Sequence, residues 1–318
     1  MAYLLRHRRQ RGIGLAELVI AMAVSAALLL LGDLLLLSAN AAWTAEADGA
    51  AIDAAGRFAL DSINSAIGQA GYIEWEGDGG PAGPAVAADT CCLPPALTGR
   101  DALTLPRASS GTDGALPDAV NGSDILAVRF DGARGGGAVN CAGFGVDAGA
   151  DGWSIFYIGR NGAGDGELRC KYRGASGWGA DAIVDGVDAF QVLYGIDSDL
   201  PPDGVPNEFV NASVIDARDA ALALAGGDAA ARLRDLQRRT HWKQVVAVRI
   251  ALLLHGAAAA APANRVFDLF GASYSARFGA ADTGVRIDEA ALPSSLHRRQ
   301  RRLWTATFAL RNAASVAP

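Results

Sequence analysis

An apolar run opens at Ile13, directly behind a short arginine-rich stretch (Arg6, Arg8, Arg9, Arg11). A helix needs roughly 20 apolar residues to cross a bilayer, and this run of about 25 meets that length. Arginines before it and few charges just after it place the N-terminus on the cytoplasmic side. A secretory signal peptide is the competing reading, because Ala39-Asn40-Ala41 offers a small-x-small cleavage site beyond the run. Against it, the run is longer than the ~7–15 apolar residues of a signal peptide. Two acids interrupt it, Glu17 near its start and Asp33 after Gly32. A carboxylate in such a segment is costly, so Glu17 demands a reason.

Beyond the run the helical pattern continues. Leu15 to about Gly68 contains no proline and turns amphipathic after Trp43. Ile52, Ala55, Ala59, Ile63, Ala66 and Ile67 fall on one stripe at helical spacing. At 1.5 Å per residue the spacing predicts a helix roughly 80 Å long. Glycine and proline density then marks residues 71–100 as a loop. From Ser123 onward, short alternating or apolar runs bounded by Gly/Asp/Asn turns predict strands: DILAVRF, WSIFYIG, ELRCKYR, DAFQVLYGI, VVAVRIALLL and LWTATFALR. Residues 216–244 are helical in composition, with a break at Gly226-Gly227. The expected class is α+β, a long helix followed by a mainly antiparallel sheet.

Charge and cysteine usage narrow the function. The formal net charge is −6, and removing residues 1–12 leaves 24 basic against 34 acidic groups, a formal −10. That balance argues against general nucleic-acid binding, which draws affinity from neutralised phosphates. The four cysteines, Cys91, Cys92, Cys141 and Cys170, form no CxxC and have no histidine nearby, so a zinc site is not expected. In an exported head an even count points to disulfides. Cys141 and Cys170 flank the WSIFYIG strand, so the preferred pair is Cys141–Cys170, with Cys91 and Cys92 left as a vicinal pair or as thiols.

The opening RGIGLAELVIAM resembles the class III leader of type IV pilins. In that family a prepilin peptidase cuts after a glycine on the cytoplasmic side, methylates the new N-terminus, and leaves a glutamate at the fifth mature position. The resemblance implies cleavage after Gly12, N-methylation of Ile13 and an assembly role for Glu17, the fifth residue counted from Ile13. The chain departs from the pattern in Ile13 for the commoner Phe or Met, Gly14 for Thr or Ser, and Ala16 for Ile or Val. Further along, GRFALDSINSAIGQAGY (56–72), NGSDILAVRF (121–130), DGVDAFQVLYGIDSD (185–199), VVAVRIALLL (245–254) and TATFALRN (305–312) are similar to blocks of PilW-type minor pilins, in family order.

The resemblance implies a leader at 1–12, a long helix over 13–72 that spans the membrane at about 15–37, and a periplasmic β-rich, pilin-like head over 73–318. The implied function is a non-enzymatic minor pilin that helps initiate or cap a type IV pilus. Its partners would be other minor pilins, the major pilin, prepilin peptidase and the inner-membrane assembly platform, and it would move from inner membrane to pilus fibre. A J-type minor pseudopilin of type II secretion shares this architecture. A signal-anchored periplasmic binding protein or enzyme is a rival of a different class.

Motifs for chemistry are sparse. The sequence has no HExxH, GxSxG or Walker A motif, and no cofactor is expected. GRNGAGDG (159–166) lies between two strands and reads as a hairpin turn, not a phosphate cradle. In DSDLPPDGVPNE, Asp197, Asp199 and Glu208 occupy positions 1, 3 and 12 of a calcium-loop pattern, but Pro201 and Pro202 fall where that loop needs a ligand and its glycine. HRRQRR (297–302) is the strongest basic cluster and reads as a solvated approach to a strand, with no aromatic platform for nucleic acid.

Overall fold

A computed structural model describes residues 14–73, 93–107, 115–174, 177–257, 262 and 264–312. It divides between Asp48 and Gly49 into two compact units. Helix α1, Leu15–Gln69, contributes to both and is unbroken through Gly32 and Asp33.

The second unit holds the strands. In chain order these are β1 (Leu97–Arg100), β2 (Ile125–Asp131), β3 (Ala138–Val139), β4 (Gly145–Val146), β5 (Asp151–Arg160), β6 (Gly166–Gly174), β7 (Gly177–Asp185), β8 (Val187–Ile196), β9 (Glu208–Val210), β10 (Val245–His255), β11 (Val266–Asp268), β12 (Arg286–Asp288) and β13 (Arg301–Ala309). Three short helices, α2 (Ala212–Ala220), α3 (Ala229–Arg239) and α4 (Ala272–Phe278), lie between them. One sheet has the order β1-β2-β5-β6-β7 and another β13-β10-β8-β9. Every paired strand is antiparallel. The α+β expectation therefore holds, a long apolar helix followed by mainly antiparallel sheets.

A single residue, Gly186, hands the chain from β7 at the edge of the first sheet to β8 inside the second. Its φ of 71° lies in the left-handed region, and a Cβ there would sit 2.7 Å from the His255 carbonyl oxygen. Only glycine combines that backbone conformation with that approach.

The main core is shared by both sheets and the C-terminal part of α1. Ile52, Ala59, Ile63, Ala66 and Ile67 pack with Leu126, Phe156 and Leu168 of the first sheet and Phe190, Val248 and Ile250 of the second. This is the helical stripe read from the sequence, with Ala55 partly buried beside it. Two small residues join the buried face, Gly49 and Gly56. A Cβ on Gly56 would lie 2.4 Å from Trp304 Nε1, so the missing side chain lets the Trp304 ring reach the helix backbone. Separate apolar clusters cover the reverse faces: Leu105, Ile125 and Tyr157 on the first sheet, and Leu253, Leu269 and Ile287 on the second.

The Gly-rich turn between β5 and β6 closes as a hairpin. Asn161 N–H donates to the Asp165 carbonyl, and Asn161 Oδ1 accepts from the amides of Ala163 and Asp165 at 2.9 and 3.0 Å. The side chain replaces backbone partners inside the turn, as Asn commonly does.

Candidate assembly segment

The described part of the N-terminal unit is a helix that is apolar and exposed on every face from Leu15 to Leu37. Fourteen large apolar side chains between Leu15 and Leu37 are exposed, Leu35 and Leu36 by 72% and 73%. The most apolar window of α1 has a mean hydropathy of 2.4, and none of it is buried. Burying a Leu, Val, Ile or Met side chain stabilises by about 1.5–3 kcal/mol. Fourteen of them represent some tens of kcal/mol, larger than the ~5–15 kcal/mol that holds a typical domain together. Such a segment is stable only in lipid or against other apolar helices, and it suits membrane anchoring.

At its start, the Gly14 amide donates to Glu17 Oε2 at 3.1 Å. A carboxylate in the first turn answers an amide that the helix leaves unpaired and favours the positive end of the helix dipole. The geometry therefore gives Glu17 a local partner. Gly12 and Ile13, the predicted cleavage and methylation positions, lie outside the described residues. Cys91 and Cys92 do too.

In the head, Cys141 and Cys170 are joined as expected, with Cα atoms 5.9 Å apart. Cys170 lies inside β6, and the Cys141 amide donates to Ser154 Oγ of β5 at 2.9 Å. The disulfide therefore ties the loop after β3 to the middle of the first sheet.

The calcium-like loop is arranged differently from its sequence pattern. Asp197 and Asp199 come together with Asp203, their carboxylate oxygens within 4.8 Å of one another. Glu208 instead engages Arg218 at 2.6 Å, and this pairing holds its carboxyl below the usual range. Asp197 spends both oxygens on the loop, accepting from the Asp199 amide at 3.1 Å and the Gly204 amide at 2.7 Å. Asp203 takes the Val205 amide at 2.8 Å. These bonds already explain the acids as turn-formers.

The HRRQRR stretch is not a solvated patch throughout. Arg301 is buried: its Nε donates to Asp188 Oδ2 at 2.6 Å, Nη1 to Glu289 Oε1 at 2.8 Å, and Nη2 to the Leu296 carbonyl at 2.6 Å. Asp188 also meets His255 Nδ1 at 3.0 Å. Burial pushes the Glu289 carboxyl up, but the amides of Arg265 and Arg298 and the Arg301 charge outweigh it, so it ends below the usual range. Arg302 reaches Asp53 on α1 at 3.1 Å, and His297 Nε2 meets the Leu292 carbonyl at 2.8 Å. Sequence reading missed the buried cluster because Asp188 lies 113 residues from Arg301. A second histidine, His241, engages Asp219 at 2.7 Å.

The head carries the decisive comparison. Residues 155–312, from β5 through β13, match the family model "Type IV Pilus-assembly protein W", PilW. That segment belongs to the PilW family. The chain's role is therefore tied to the type IV pilus and to other pilus components, and the PilW match lies in the same chain as the exposed apolar helix. A type IV-like pilin from Thermus thermophilus is similar at 17% identity over 72% of this chain and 93% of its own, with a TM-score of 0.29. That likeness is too slight to carry a structural or functional argument. No curated protein matches significantly.

Proposed function

We propose that this chain is a minor pilin that helps to initiate or cap a type IV pilus. Prepilin peptidase removes residues 1–12 and methylates Ile13, the segment at about 15–37 anchors the protein in the inner membrane, and the head from 73 onward lies in the periplasm. The chain then leaves the bilayer as its apolar helix packs among the helices of other minor pilins and the major pilin. The observation that carries this reading is the wholly exposed apolar half of α1 in a chain whose head matches PilW.

Glu17 then has two partners in succession. Before assembly it answers the first-turn amide. Once the leader is cut, a positively charged amine lies one helical turn away on the same chain, and another is presented by each neighbouring subunit. Transfer into a helix-packed core strips water from these charges, and a low-dielectric site penalises an unpaired one strongly. Pairing Glu17 with a neighbour's amine offsets that cost and sets the axial register.

The test uses Glu17→Ala and Glu17→Gln in cells that make pili. Both variants are expected in the membrane and cleaved, yet absent from pili, with piliation reduced. Wild-type pilus number and normal incorporation of both would sink the reading.

A further inference from the structure

The two large sheets have four edges among the described residues, and three are blunted. β1 is four residues long, and α2 sits against its end, where Asp101 accepts from the amides of Ala212 and Ser213. β9 has three residues. β7 is long, but it carries Gly177, Gly179, Asp181 and Asp185, and its ladder with β6 is irregular at Leu168/Arg169. Short strands, charges, glycines and bulges are the usual means of keeping a sheet edge from recruiting another strand.

The fourth edge, β13, is long and regular, and its charges are confined to its first two residues, Arg301 and Arg302. It pairs with β10 over nine residues without a register shift, and Leu303–Ala309 (LWTATFA) contains no charge, glycine or proline. The direction of its free groups follows from its ends. The Gln300 carbonyl accepts from the Gly256 amide, and the Leu310 amide donates to the Val246 carbonyl. Even-numbered residues therefore face β10, and by alternation the N–H and C=O groups of Leu303, Thr305, Thr307 and Ala309 point away from the sheet. The side chains of these four residues are exposed.

We infer that β13 is a docking edge for an extended segment of a neighbouring pilin subunit, which adds a strand to the β13-β10-β8-β9 sheet. The inference rests on the assembly reading above. A helix cannot occupy this edge, because its backbone groups are already bonded internally, whereas an extended chain supplies complementary groups at strand spacing. Charge defines the occupant further. Arg301 is spent on Asp188 and Glu289 in the interior, so the basic flanks are Arg302 at one end, which also meets Asp53, and Arg311 beyond the other; residues 301–312 contain no acid, and Arg249 reaches Thr307 on the exposed face. The segment that fits is neutral and β-branched at its centre and acidic at its flanks.

The test compares amide hydrogen exchange of the full-length protein in detergent with that of the same protein in pili or co-purified with its minor pilins. The amides of Leu303, Thr305 and Thr307 are expected to slow by about tenfold or more on assembly, while those facing β10 are slow in both states. Thr305→Pro takes away an outward N–H and no ladder hydrogen bond, so its unfolding midpoint in detergent should stay close to wild type while incorporation falls roughly tenfold. Thr307→Lys provides a variant with the backbone unchanged. Unchanged exchange at the three amides, or normal incorporation of both variants, overturns the proposal. If that happens while Glu17→Ala still blocks assembly, the pilin reading stands and the docking edge alone falls. If Glu17→Ala also assembles normally, both fall. Protection of β13 in the purified protein by itself, with dimer formation, overturns the heterologous partner in favour of a second copy.

Discussion

Replacing Arg301 by methionine tests whether the basic cluster is a buried keystone. The Arg301 side chain is 0% exposed, and those of Asp188 and Glu289 are each 1% exposed. Methionine keeps much of the volume but takes the Arg301 guanidinium from both carboxylates, leaving Asp188 with His255 and Glu289 with the more distant Arg265, and it leaves the Leu296 carbonyl without the Arg301 donor. Breaking a buried ion pair from one side costs about 3–5 kcal/mol, because the remaining charge stays desolvated. For a head of this size each kcal/mol moves the midpoint by about 2–4 °C, so the expected fall is on the order of 10 °C. The assay is thermal and urea unfolding of the full-length protein in detergent, followed by circular dichroism. Adding Asp188→Asn and Glu289→Gln removes the stranded charges while keeping an acceptor oxygen at each position, and the triple variant should recover a large part of the loss. A loss below about 1 kcal/mol in the single variant would mean that water solvates the cluster like a surface pair, and the burial argument would be wrong.

Three further outcomes are expected. Serine at both Cys141 and Cys170 opens a loop with a sequence separation of 29, which should cost about 3–4 kcal/mol in the chain-entropy account, read as a lower urea midpoint. An unchanged midpoint would show that the cross-link adds nothing to the packed sheet. Asp124 is buried and its carboxyl is pushed well up, first by burial and then by Asp101, despite the amides of Ala102 and Val192. Because its folded pKa exceeds the unfolded value of about 3.9, the folded state holds its proton longer, and this contribution to stability is lost as pH rises through that window. Asp124→Asn should flatten that part of the stability-against-pH curve, and parallel curves for the two proteins would refute the assignment. Gly12→Val should leave the twelve-residue leader attached, since a branched side chain obstructs the scissile position; a mature mass equal to wild type would remove the leader assignment.

The features legible in the residue order are those that local chemistry controls. A proline-free apolar pattern at helical spacing marked α1 and its buried stripe. Alternation marked β2, β5, β6, β8, β10 and β13, and Gly226-Gly227 marked the break between α2 and α3. Composition placed the helical stretch from Asp216, whereas α2 starts at Ala212, because Asn211 caps it and Asp101 of another segment receives its first amides. β7, GWGADAIVD, has too few large side chains to show a period, and it is a strand because β6 offers its edge. The tertiary structure alone decided the strand order, the place of Asp203 beside Asp197 and Asp199, and the burial of Arg301. An arginine reads the same in sequence whether it meets water or two carboxylates. Which of these it meets depends on Asp188 and Glu289, brought beside it by long-range antiparallel pairing and by the segment packed over the sheet. Likewise, the pattern of β13 reveals a strand, but only its position at the end of a sheet leaves its outward amides without a strand partner among the described residues.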